Sequence, residues 1–172
     1  MGISALAKEE KEQTAEFLLT HPVSRRKVVI QKLCAVFIQI AGFNAVVVGI
    51  TILSALIVGE SMDRKIFTLL FLSYFILQIE IAAVCFGISA FISRSGIGIG
   101  LGIAAFFYFV NIISNLTKEA EFLKYITPFG YTDSADIITN GSIEIKYLFV
   151  GLVFTVIGIF AAFWKYGKKD IV

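Results

Sequence analysis

The sequence predicts an all-α, polytopic integral membrane protein with four transmembrane helices and a cytoplasmic N-terminal elbow helix. Three observations carry that prediction. Hydrophobic residues make up 58% of the 172, with a mean hydropathy of +0.86, against about 45–50% in soluble domains. Charge is missing from long runs instead of being diluted along the chain. Lys and Arg gather on one side of those runs, as they do in membrane proteins.

The elements follow in order. Ala5 to Leu19 reads as a helix that stays out of the bilayer, because Lys8, Glu9, Glu10, Lys11, Glu12 and Glu16 would all need desolvating. Its apolar residues collect at the end, in Phe17, Leu18 and Leu19. Pro22 lacks a backbone donor and disfavours helical geometry at His21, so the helix stops near Thr20. Ser24 caps a second helix that starts at Arg25-Arg26-Lys27 and runs into the first span. The expected product is a coupling segment over residues 1–32, bent and stiff, ahead of a transmembrane domain over residues 33–172. A helix resting on lipid headgroups, with the basic cluster as an ordinary membrane-edge signal, is the alternative. The excess of acid over base and the compact apolar knob count against it.

Residues 33–58, 95–117 and 147–164 hold no charge, and residues 66–93 hold only Glu80. Each run is near or above the ~20 residues that cross a hydrocarbon core of ~30 Å, and inside lipid such runs must be helical to satisfy their backbones. Lys8, Lys11, Arg25, Arg26, Lys27, Lys32, Arg94, Lys165, Lys168 and Lys169 then share one side, against Arg64, Lys65, Lys118, Lys124 and Lys146 on the other. Both termini are therefore expected in the cytoplasm, in a plasma (inner) membrane. Trp164 and Tyr166 suit the inner interface and Tyr147 the outer one. In the outer loop, 118–146, Thr132 or Asp133 caps a short helix over Ser134 to Ile138 that Asn140-Gly141 ends. Phe122, Tyr125, Ile126 and Phe129 are expected to tuck this loop against the bundle.

The chemistry in the runs is sparse. A net charge of +2 gives no case for nucleic acid. Cys34 and Cys85 lie in apolar runs and read as small hydrophobes. The sequence has no G-x-x-x-x-G-K-[ST] loop to cradle nucleotide phosphates, and no Cys/His/Asp cluster with metal-ligand spacing. "GIGIGLG" at Gly96 to Gly102 reads as two overlapping G-x-x-x-G pairs that let helices approach closely. Gly42/Gly49 and Gly151/Gly158, each seven apart, read the same way. Glu80 is the sharpest interior residue, since a carboxylate at mid-span costs on the order of 2.5–3.5 kcal/mol even on mild insertion scales. Asn44 lies at a similar depth in the first span and is expected to face Glu80. The pair reads either as part of a translocation path, with Asn111 and Asn115, or as a packing hydrogen bond.

"EEKEQTAEFLLTHPVSRRKVVIQK", from Glu9 to Lys32, resembles the cytoplasmic segment of bacterial ATP-binding-cassette permeases of the second, export-type class. The matching positions are Glu9, Glu10, Thr14, Glu16, Phe17, Leu18, Leu19, Pro22, Val23, Ser24 and Arg25. "YITPFGYTDSADIITNGSIE" and the tail "YGKKDI" resemble the same family's last outer loop and ending. The resemblance implies a permease subunit that exports a substrate, pairs with a second permease chain as homo- or heterodimer, and is driven by partner ATPase subunits. ATP and Mg would sit on those partners, with no cofactor and no catalytic site on this chain. It also implies that the elbow docks on the ATPase. Such permeases usually carry six spans, two of them ahead of the elbow, whereas four are read here. A truncated, non-transporting permease fragment therefore stays an alternative. So does a self-sufficient, ion-coupled four-helix multidrug efflux protein with Glu80 as its proton carrier.

Overall fold

The structure, a computed structural model, describes residues 2–5, 25–59, 63–92 and 96–168. Among these every element is helical, and four helices are long and apolar enough to cross a membrane. The expected elbow over 6–24 lies outside the described residues. The long helices are α1 (Arg25–Val58), α2 (Arg64–Ser89), α3 (Ile97–Leu116) and α5 (Ile145–Lys168), with the short α4 (Ser134–Asn140) between the last two. The protein is thus a multi-pass membrane protein.

Helix boundaries depart from the uncharged runs by a few residues, for local reasons. α1 is already helical at Arg25, so its 34 residues span about 51 Å and exceed the hydrocarbon core by about 20 Å. α2 takes Arg64 and Lys65 into its first turn because Asp63 caps it, accepting from Lys65 N (2.8 Å) and Ile66 N (3.3 Å). It ends at Ser89, short of the expected 93. There Ser89 Oγ donates to the Phe86 carbonyl (2.6 Å) and Ala90 N–H turns back to Gly87, tightening the last turn.

α2 is the central helix. Gly59, Asp63 and the segment 117–144 lie at one end of the bundle, called the loop end here. α2 and α5 both run away from it and pack in parallel, so residue 80 meets 151, 83 meets 158, and Ala90 shares a cluster with Ala162. α1 joins the same cluster through Val29, Val36 and Ile40, with Phe37 edge-on to Phe75 of α2 at 6.2 Å. α3 is held mainly through its flanks. A 3-10 turn at Gly2–Ser4 buries Ile3 against Gly100, where a Cβ would stand 2.9 Å from Ile3 Cγ2. The expected helix contact at Gly96/Gly100 is therefore a seat for Ile3, while Gly98 and Gly102 face open space.

Segment 117–144 folds back into the bundle. Thr127, 2% exposed, donates its hydroxyl to the Phe107 carbonyl at 2.9 Å. Phe107 lies nine residues, about 14 Å of helix, before the end of α3. Non-helical backbone at that depth survives only when enclosed by protein and internally bonded. Both conditions hold. Phe129 N donates to Thr127 Oγ1, Gly130 N to Thr127 O, and Thr132 N to Phe129 O. Gly130 has no room for a side chain against the Lys124 carbonyl. The expected short helix is present as α4, capped by Asp133 and ended by Gly141 in the left-handed region (φ 58°). Of the four residues expected to tuck the loop, Phe129 does so. Phe122, Tyr125 and Ile126 stay exposed, while Pro128, Tyr131 and Thr132 are buried and Phe129 packs edge-on to Tyr108. Tyr147, expected at a headgroup interface, is instead buried with Leu77 and Tyr131.

Candidate functional site

Glu80 is the seventeenth of the 26 residues of α2 and is 2% exposed. The α2–α5 seam explains how a carboxylate fits there. A Cβ on Gly151 would overlap both carboxylate oxygens of Glu80, and a Cβ on Gly158 would stand 2.5 Å from the Ala83 carbonyl oxygen. Gly87 likewise admits no side chain against the Gly158 backbone. Small residues on both helices bring the backbones together, and Glu80 lies flat on the surface that Gly151 leaves bare. Gly151 comes six residues after the start of α5, about 9 Å in from the loop end.

Tyr131, from the re-entrant 3-10 turn, reaches the same point and packs with Leu77 and Tyr147. Its phenol lies beside the Glu80 carboxyl. Yet Glu80 Oε2 and the Tyr131 hydroxyl are both enclosed without a hydrogen bond. The two groups are neighbours whose geometry falls short of a bond. Buried polar groups without partners are uncommon and call for an explanation.

Asn44 does not face Glu80. Its Nδ2 donates to Gln78 Oε1 (2.7 Å) and to its own Ile40 carbonyl (2.8 Å). Gln78 and Glu80 are two residues apart, which at 3.6 residues per turn places them on nearly opposite faces of α2. Depth had matched Asn44 to Glu80; the direction around the helix separates them. Asn111 and Asn115 lie one turn apart near the loop end of α3. Asn111 keeps an enclosed, unbonded Oδ1, while Asn115 Nδ2 donates to Asp133 Oδ2 at 3.0 Å. Asp133 thereby caps α4 with one oxygen and holds α3 with the other. A polar hollow of about 350 Å³ lies beside this link, with the Lys124–Asp136 pair (3.2 Å) on its rim.

Of the residues expected to dock an ATPase, Glu9, Glu10, Thr14, Glu16, Phe17, Leu18, Leu19, Pro22 and Ser24 fall outside the described residues, and Arg25 is the first residue of α1. Sequence reasoning missed Gln78, Tyr131 and the pairing of Glu80 with Gly151. Only the Gly151/Gly158 spacing pointed toward that seam.

A cleft of about 380 Å³ opens between α2 and α5. Ile76, Ile79 and Glu80 line one wall and Leu148, Phe149 and Leu152 the other. Four membrane-length helices and a loop folded back into them make a membrane domain. No curated protein and no solved structure matches the chain. The family model described as ABC-2 family transporter protein matches residues 1–171. The chain belongs to that family and is a multi-pass permease component of an ABC transporter.

Proposed function

We propose that this chain is the membrane half of an ATP-driven exporter, moved by ATPase subunits that bind its N-terminal segment. The observation that carries the reading is a family match running from residue 1, through the charged, proline-broken segment, to residue 171. In this reading Glu9, Glu10, Thr14, Glu16, Phe17, Leu18, Leu19, Pro22, Ser24 and Arg25 form the handle, and residues 1–32 transmit its movement to α1. The helical start of α1 at Arg25 supports a rigid connection. ATP and Mg reside on the partner ATPase, and a second permease chain, identical or not, completes the pore. The chain sits in the plasma (inner) membrane with the loop end outside and both termini in the cytoplasm, in keeping with Arg26, Lys27, Lys32 and Lys165 at the opposite end. Asn44, Glu80, Asn111 and Asn115 belong to the translocation path.

Co-purification tests the assembly. A nucleotide-hydrolysing subunit is expected to accompany the chain, and its ATPase rate to fall to the uncoupled level with Glu16→Ala or Arg25→Glu while membrane insertion is unchanged. Normal coupling in both variants overturns the docking role. The burial of Glu80 supports a second reading, ion-coupled efflux without an ATPase. Transport by the purified chain in vesicles under a proton gradient alone would favour it.

A further inference from the structure

A groove of about 370 Å³ runs between α1, α2 and α5 in the half of the bundle away from the loop end. Leu33, Phe37 and Ile38 of α1 line it together with Ile79 and Ala83 of α2 and Ile159 of α5, and it presents no polar surface. Phe37 and Ile38 are exposed, so the groove opens along the side of the bundle. In a bilayer such a surface alone names no occupant. The residues that lead out of it along α1 do.

Two rows of side chains on α1 end in the groove wall, each at i, i+4, i+7 and i+11, the spacing that keeps to one face of a helix. One row is Arg26, Ile30, Leu33 and Phe37; the other is Lys27, Gln31, Cys34 and Ile38. Each therefore begins with a cation. Arg26 and Lys27 are exposed and make no hydrogen bond or ion pair among the described residues. They precede Leu33 and Cys34 by seven residues, about 10 Å of helix. That is enough to cross a headgroup layer about 5–8 Å thick.

We propose that this face of α1 holds one anionic phospholipid, its phosphate on Arg26 and Lys27 and one acyl chain along the groove. A guanidinium grips phosphate as a planar fork and an ammonium as a point charge, so the two cations suit one headgroup. Charge decides among the occupants. A second copy of this chain, related by a two-fold axis along the membrane normal, would meet it at equal depth and set Arg26 and Lys27 against their own counterparts. A zwitterionic lipid brings its own ammonium to a site that already holds two cations. The inference needs the chain in a bilayer, and neither an ATPase nor a direction of transport.

The full chain is placed in nanodiscs of phosphatidylcholine with a minor share of phosphatidylglycerol of the same acyl chains, and the lipids it carries out are counted by native mass spectrometry. Each variant is first checked for the wild-type melting temperature in phosphatidylcholine alone. The expected result is one retained phosphatidylglycerol per chain, enriched at least fivefold over its bulk share. Arg26→Gln with Lys27→Gln is expected to return the ratio to bulk. Cys34→Trp, which fills the groove and keeps both cations, is expected to lower the enrichment at least threefold. Arg64→Gln with Lys65→Gln removes the same charge at the loop end and is expected to leave it unchanged. Excess glycerol phosphate, a headgroup without tails, is expected not to displace the lipid. Retention at the bulk ratio in the wild type overturns the proposal. So does equal loss in the loop-end variant, which marks diffuse attraction, or insensitivity to Cys34→Trp. Displacement by glycerol phosphate overturns it in favour of a site for phosphate alone.

Discussion

Gly42 and Gly49 stand seven residues apart on α1, as Gly151 and Gly158 do on α5, and both helices pack on α2. On α5 each glycine meets another chain segment so closely that a single added carbon would overlap it. On α1 neither has a heavy atom within 4 Å of where its Cβ would stand. The rest of each helix follows suit. α5 keeps Ala162 fully buried a turn beyond Gly158. α1 buries Val29, Val36 and Ile40 near its start and sets Phe37 against Phe75, and Asn44 bonds across to Gln78; its far end is open, with Ile57 85% exposed. Spacing permits close approach; facing atoms decide whether it occurs. In lipid, where apolar surface gains little by leaving the solvent, the small-residue seam and the polar bonds carry the association.

Four substitutions sharpen that contrast, each followed by thermal or denaturant unfolding of the detergent-solubilised chain. Gly158→Leu drives a side chain into the Ala83 carbonyl and is expected to cost 3 kcal/mol or more, the upper end of overpacking penalties. Gly151→Ala meets the end of a side chain instead of backbone, so about 1–2 kcal/mol is expected. Most of that should vanish in a Glu80→Ala background, a coupling a double-mutant cycle reads directly. Asn44→Leu strands Gln78 and should cost about 0.6 kcal/mol, typical for an interhelical polar bond in membranes. Gly49→Leu should fall within about 0.5 kcal/mol of wild type. If Gly49→Leu proves as damaging as Gly158→Leu, the outer half of α1 is packed and the contrast fails.

The same contrast marks how far the sequence could be read. Span number and approximate limits were legible, because the absence of charge over bilayer length admits only a helix. The cap at Asp133 and the stop at Gly141 were legible too, since an Asp side chain and a left-handed glycine act within a few residues. What joins distant segments was not. Glu80 announces itself, but its neighbours Gly151 and Tyr131 arrive 71 and 51 residues later and carry no local signal. Asn44 was matched to Glu80 by depth, a one-dimensional measure, whereas the bond to Gln78 depends on rotation about α2. Tyr147 looked like an interface anchor because aromatics gather there, and the re-entrant loop buried it instead.

The parallel run of α2 beside α5 has a consequence for biogenesis. Two helices pointing the same way cannot be neighbours in a hairpin, so α3 and the whole returning loop must be made before α5 can come alongside. At a ribosomal pace of about 5–20 residues per second, the nascent chain holds Glu80 for several seconds before Gly151 exists. Through that interval the acid is in transit with nothing of its own chain to lie on. Insertion of this span is therefore expected to stall, or to lean on a membrane insertase, until translation reaches the fourth crossing.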